Sequence, residues 1–113
     1  MAPWADVVEL GLRLPEVEES TWFGTPSLKV RDKSMCRLRA DPDALVLRVL
    51  DVEDAQALVR GQPDVFFSTP HYDGWPYVLV RLEAVSREQL EELIEDAWRI
   101  RAPKRVVAAY DTA

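Results

Sequence analysis

One stretch restricts the fold more than any other: Ser68 to Leu82, reading Ser-Thr-Pro-His-Tyr-Asp-Gly-Trp-Pro-Tyr-Val-Leu-Val-Arg-Leu. No helix runs through its first half, because Pro70, Gly74 and Pro76 crowd together there, and proline removes a backbone donor while glycine favours a turn. Asp73-Gly74 predicts a tight turn with positive φ at Gly74. Tyr77 to Leu82 then predicts a largely buried strand, β-branched and aromatic, with Arg81 as its single charge. Directly after it, Val85-Ser86-Arg87-Glu88-Gln89-Leu90 predicts a helix start. Ser86 caps the first turn, Gln89 reaches back to it, and Val85 packs on Leu90. A decorated loop thus leads through a central strand into the longest helix, and function is expected beside that loop.

The rest of the chain supplies partners for this strand and helix. Pro3 opens a first helix, in which Trp4, Val7, Val8 and Leu12 recur at helical spacing, and Pro15 ends it near Leu14. From Glu18 to Leu50 the period shortens to two, predicting strands over 18–23, 27–31, 35–40 and 44–50. Gly24-Thr25-Pro26, Asp32-Lys33 and Asp41-Pro42-Asp43 are the turns between them. Asp51 caps a second helix that Gly61 stops, and Val65-Phe66-Phe67 forms a short strand. In the last long helix Leu90, Leu93, Ile94, Ala97 and Trp98 make one apolar stripe opposite Glu88, Glu91, Glu92, Glu95 and Asp96. Arg99, Arg101, Lys104 and Arg105 complement the dipole at its end. Pro103 breaks the helix before one or two further turns. With 113 residues, this pattern predicts a single domain, 1–113, of α+β class: an antiparallel sheet with N- and C-terminal helices on one face.

Composition removes several functions. One histidine and one cysteine cannot build a zinc site or a disulfide framework, so no metal or other cofactor is expected. A lone cysteine suits a reducing, cytoplasmic setting. No apolar run approaches the roughly 20 residues of a membrane span, and no membrane partner is expected. Cys36 alternates onto an apolar strand face and is expected to be buried and inert. His71 could act as a general base oriented by Tyr72 and Asp73. No serine or cysteine sits in a nucleophile setting, however, so no enzyme is expected and catalysis ranks last.

The charges are unevenly distributed. The net charge is −6, yet residues 27–50 hold six bases and three acids, all three acids in turns. Strand alternation places Lys29 with Arg31 on one face, and Arg37 with Arg39 on one face of the next strand. Arg48 and Arg81 are lone charges in otherwise apolar strands. Two readings stay open: an anion-binding sheet face suited to phosphates, or a solvated face whose arginines pair with Glu18, Glu19, Asp43 or Glu83. Trp22, Tyr72 and Trp75 either rim a pocket or pack a small satellite core.

Several blocks together resemble the MmcQ/YjbR family of small bacterial proteins. They are Trp4-Ala5-Asp6-Val7; Leu14-Pro15-Glu16-Val17-Glu18-Glu19 with Trp22-Phe23-Gly24-Thr25-Pro26; Thr69-Pro70-His71-Tyr72-Asp73-Gly74-Trp75 running into Val78-Leu79-Val80-Arg81-Leu82; and Ala97-Trp98-Arg99 with Ala102-Pro103-Lys104-Arg105. Ser34-Met35-Cys36 departs from the family pattern, which touches packing more than function. The resemblance implies a two-layer sandwich similar to the frataxin (CyaY) fold. It also implies DNA binding through a double wing. Here the wing would be the hairpin from Ser27 to Ala40, which carries Lys29, Arg31, Lys33, Arg37 and Arg39, with Arg48 and Arg81 beside it. Thr69, His71, Tyr72 and Trp75 would supply finer selection. The alternative is a module for a small anion or a protein partner, centred on the Thr69–Trp75 loop. A monomer is expected, although Val46, Leu50 and Val78 leave a dimer open.

Overall fold

A computed structural model describes residues 3–39 and 43–113. In chain order the elements are α1 (Trp4–Leu12), β1 (Val17–Trp22), β2 (Thr25–Val30), β3 (Lys33–Arg39), β4 (Ala44–Arg48), α2 (Val52–Gly61), β5 (Phe66–Phe67), β6 (Tyr77–Arg81), α3 (Arg87–Arg101) and α4 (Lys104–Thr112). The strands form one antiparallel sheet in the order β1-β2-β3-β4-β6-β5. The expected α+β class holds. A short fourth helix of nine residues follows Pro103, longer than the one or two turns expected.

One face of the sheet is the core face. Leu28, Val30, Cys36, Leu45, Leu47, Phe66, Val78 and Val80 pack there against Val7 and Leu10 of α1 and Leu90, Ile94, Ala97 and Trp98 of α3. Burying each large aliphatic or aromatic side chain of this set contributes about 1.5–3 kcal/mol. Trp98 is fully buried, which its polar edge permits because Nε1 donates to the Pro15 carbonyl at 2.9 Å. Both capping residues behave as their chemistry dictates. Asp51 accepts from the Asp54 amide at 2.8 Å, and Ser86 accepts from the Gln89 amide at 3.1 Å. The Gln89 side chain, expected to reach back to that cap, instead donates to Gln62 Oε1 at 2.6 Å. It ties the start of α3 to the end of α2.

Two turns differ from expectation, and a bulge accompanies them, redirecting side chains. The β1–β2 turn is Phe23-Gly24, both with positive φ (53° and 73°), so Thr25 and Pro26 join β2. The β2–β3 turn is Arg31-Asp32, and Arg31 itself has φ 57°. It therefore leaves the face of Lys29 and pairs with Glu16, Nε to Oε1 at 2.6 Å. Glu16 is left-handed as well, with φ 62°. Between Leu28 and Lys29 the register shifts: Leu28 opposes Cys36, whereas Lys29 opposes Ser34. Met35 is the extra residue on β3, and Met35 and Cys36 are both buried in the helix-side core. Such a bulge bends its strand and increases the local twist. The turn expected over Asp41-Pro42 lies outside the described residues.

Candidate functional site

The opposite face of the sheet carries the charges, in rows set by the strand register. Ser27, Arg37, Val46, Leu79 and Phe67 form one row. Arg39, Ala44 and Arg81 form the next, and Arg48 lies beside Tyr77 at the far end. Four expected bases, Arg37, Arg39, Arg48 and Arg81, thus share this face with Lys29. Arg31 does not, for the turn geometry given above. Lys33 is exposed at the start of β3. The strands of the hairpin named as the wing are paired on both sides, β2 with β1 and β3, and β3 with β2 and β4, so their backbone donors are taken up within the sheet.

The face is also not flat. The Ser68–Pro76 loop folds across it, held by amides of Tyr72 and Asp73 donating to the Thr69 carbonyl at 2.9 and 3.0 Å. Ser68 Oγ reinforces the turn by donating to Asp73 Oδ1 at 2.7 Å. Gly74 supplies the positive φ this turn needs, 83°. Tyr72 is thereby buried over Ala44, Val46 and Leu79. An aromatic bridge continues from it: Tyr72 to Tyr77 with ring centroids 6.0 Å apart, and Tyr77 to Trp22 at 5.9 Å. Trp22 stands on β1 and Tyr77 on β6, with three strands between them. Only a strongly curled sheet brings these rings together, and the bulge beside Lys29 supplies bend at the right place.

Arg37 sits under this bridge. Its Nη2 donates to Tyr72 Oη at 2.5 Å and its Nη1 to Thr25 Oγ1 at 3.3 Å. The guanidinium carbon lies 5.8, 5.5 and 6.0 Å from the ring centroids of Trp22, Phe23 and Tyr72, within cation–π range. Its Nε is buried with no hydrogen-bond partner. Phe23 is 73% exposed and stacks on Trp22 at 5.2 Å, despite its left-handed backbone. Strain of this kind in a bulky residue persists where surrounding contacts enforce it, and it concentrates at functional sites.

The other cations find rings and carbonyls. Arg81 stacks on Phe67 at 4.2 Å. Arg48 lies over Tyr77 at 5.9 Å and donates from Nε to the Val49 carbonyl at 2.9 Å. Lys29 approaches Glu18 only to 4.0 Å. Arg101, assigned from sequence to dipole compensation, donates from Nε to the Ser34 carbonyl at 3.1 Å. With Lys29 it lines a cavity of about 400 Å³ on the open face. Burial lowers the Arg101 pKa; the nearby Tyr77 counters this shift, and the charge of Arg48 adds to it. No sequence signal marked Arg101, because its role depends on where α3 ends relative to the sheet edge.

The ligand-loop residues divide. Tyr72 joins the Arg37 cluster. Trp75 is 62% exposed and, with Tyr72 and Tyr77, lines a second cavity of about 300 Å³ against Val52, Ala55 and Val59 of α2. His71 is exposed and meets the edge of Tyr72 at 4.8 Å. Asp73, expected to orient it, is engaged by Ser68 instead. Thr69 supplies its carbonyl to the turn. Val46 and Val78, two of the residues that left a dimer open, are buried within the chain. Burial pushes the Cys36 thiol up to about 12, which removes it as a nucleophile at neutral pH. Among the described residues no group of three His, Cys, Asp or Glu side chains is placed to hold a metal ion. Among those same residues, no helix is long and apolar enough to cross a membrane.

Comparison with known proteins agrees with this architecture. A solved structure from Deinococcus radiodurans, protein DR2400 with a DUF419 domain, superposes with a TM-score of 0.71 at 26% identity, covering 87% of this chain and 77% of that one. Uncharacterized proteins Rv2570 of Mycobacterium tuberculosis and Mb2600 of Mycobacterium bovis are each 36% identical, over 97% of this chain and 96% of their own length. The YjbR family model matches residues 12–100, which span every strand and the helices α2 and α3, and this chain therefore belongs to the YjbR family.

Proposed function

We propose that the chain is a non-enzymatic nucleic-acid-binding protein that holds phosphates on the open face of its sheet. The observation that carries this reading is the company its cations keep. Arg37, Arg48, Arg81 and Arg101 are partnered by a phenol, a hydroxyl, carbonyls and aromatic rings, whereas Arg13, Arg31, Arg87 and Arg99, away from that face, are each bonded to carboxylates. Lys29, which approaches Glu18 to 4.0 Å, aside, these cations of the open face thus keep their charge available to an external anion. Arg39 and Arg81, flanking Ala44 in register, are placed to contact neighbouring phosphates. No helix is offered as a reader of base edges, since the exposed face of α3 is acidic, so binding is expected to position without sequence readout.

Fluorescence anisotropy with a labelled ~20-base-pair duplex tests the proposal, and three or four phosphate contacts predict a log–log salt slope of about −3. Arg39→Glu/Arg81→Glu should abolish binding. Absence of binding at low salt, or binding indifferent to the double variant, would overturn it. A second reading, a site for a small anion, is favoured by one specific observation: the Tyr72–Tyr77–Trp22 bridge roofs the centre of the face, which a duplex cannot enter.

A further inference from the structure

The cavity under the aromatic bridge has the makings of a discrete site. Its floor comes from Ser27 on β2 and Ser34 on β3, its cations are Lys29 and Arg101, and Trp22 and Tyr77 stand as aromatic walls. Asp32 is the one carboxylate in the lining. Two features call for a ligand rather than a solvated groove. Ser34 Oγ is buried without a hydrogen-bond partner, and a buried hydroxyl left unpaired is destabilising. Arg101 is half-buried beside Arg48, with a backbone carbonyl as its hydrogen-bond acceptor. The bulge at Met35 places Ser34 opposite Lys29, which joins the orphan hydroxyl to a cation.

We propose that this cavity binds a small phosphate monoester carrying a planar ring, as a nucleotide does. The phosphate would lie between Lys29, Arg101 and Ser34, with the ring against Trp22 and Tyr77. A phosphate dianion satisfies the chemistry of this set: it accepts from the ammonium, the guanidinium and the hydroxyl at once, and it neutralises Arg101 while adding a second anion to Lys29, whose partner Glu18 stands 4.0 Å away. A planar ring exploits aromatic faces whatever the base. Asp32 can accept from a sugar hydroxyl, and it disfavours a bare polyphosphate. About 400 Å³ lies within the range of small-ligand pockets. The site shares Lys29 and Arg101 with the open face but does not rest on duplex binding.

The same chemistry occurs in a free nucleotide and at the phosphorylated end of a strand. Calorimetric titration of the intact protein with AMP, adenosine, and a short oligonucleotide with and without its 5′-phosphate separates the two. The expected result is one-to-one saturable binding of AMP, weakened about tenfold or more by loss of the phosphate in adenosine. Arg101→Met should weaken it to a similar extent, and Trp22→Leu should weaken it too. Binding of the phosphorylated oligonucleotide alone would keep the site and identify a strand end as its occupant. Three results would overturn the proposal: no saturation with either phosphorylated probe even if the duplex binds, adenosine matching AMP, or Arg101→Met leaving AMP affinity intact. If circular dichroism shows Arg101→Met unfolded, Lys29→Met decides the same question.

Discussion

At the scale of single residues, Arg37 and Tyr72 show how an exposed-looking strand charge becomes structural. Alternation placed Arg37 on the open face, and it is there. What alternation could not show is that a loop 35 residues away in sequence would lay a phenol on it. The Arg37–Tyr72 bond is charge-assisted and part-buried, so Tyr72→Phe should destabilise the protein by about 1–3 kcal/mol, although it keeps the ring. Thermal unfolding should register this as a Tm lower by several degrees, roughly 4–8 °C per kcal/mol for a chain of this length. Arg37→Lys should not rescue loop packing, because an ammonium cannot span Tyr72 and Thr25 as a planar fork does. A Tyr72→Phe variant as stable as wild type would mean the loop is held by apolar contact alone.

At the scale of elements, α4 is the piece least determined by local pattern. It docks through Tyr110, whose ring meets Trp98 at 5.0 Å and whose hydroxyl donates to Glu95 Oε1 at 3.1 Å. Arg99 bridges Glu95 and Asp111, reaching Asp111 Oδ1 at 2.8 Å. The Arg99 bond holds the Asp111 carboxyl below its ordinary value of 3.8, so folded protein binds fewer protons here than unfolded. The latch is therefore complete above the ordinary value and is lost as pH falls through the lowered one. At the other end, the bond to Glu95 raises Tyr110 above 10.0, so its contribution is lost as pH rises beyond that. Exposed ion pairs contribute little to global stability. The expected signature is therefore local: exchange protection factors, corrected for the intrinsic rate, that fall in 104–112 as pH is lowered from 6 to 2, with α3 still protected. Protection lost uniformly across α3 and α4 would contradict it.

At the scale of the whole molecule, the blocks that resembled a family turn out to be contact partners. Leu14-Pro15 and Ala97-Trp98 meet in the bond from Trp98 to the Pro15 carbonyl, 83 residues apart. Trp22-Phe23, Arg37 and Tyr72 meet over the open face. Trp98→Phe should thus cost about 1–3 kcal/mol, from an orphaned carbonyl and a partial cavity, measured by urea denaturation with an unchanged m-value. A neutral Trp98→Phe would show that the Pro15 carbonyl finds water. The charge asymmetry works at this scale too. Apart from Glu18 and Glu19 on β1, the acids of the described residues lie on helix surfaces and turns, while Arg39, Arg48 and Arg81 line the open face, so a chain of net charge −6 still offers a local site for anions.

The amino-acid sequence by itself determined the elements whose causes are local. Period-two and helical stripes, the Asp51 and Ser86 caps, and the Pro–Gly punctuation of Ser68–Pro76 settled the class and nearly every strand and helix. Strand alternation likewise placed Arg37 with Arg39 on one face, which the register shows they share with Arg48 and Arg81. Tertiary structure decided everything that depended on long-range closure. It moved Arg31 into a left-handed turn and paired it with Glu16, inserted Met35 as a bulge, and curled the sheet until Trp22 met Tyr77. It also brought Arg101 to a cavity that no spacing in the chain implies. The physical reason is one of range: caps and periodicity act within one or two turns of chain, whereas register shifts and sheet curvature are set by contacts between strands.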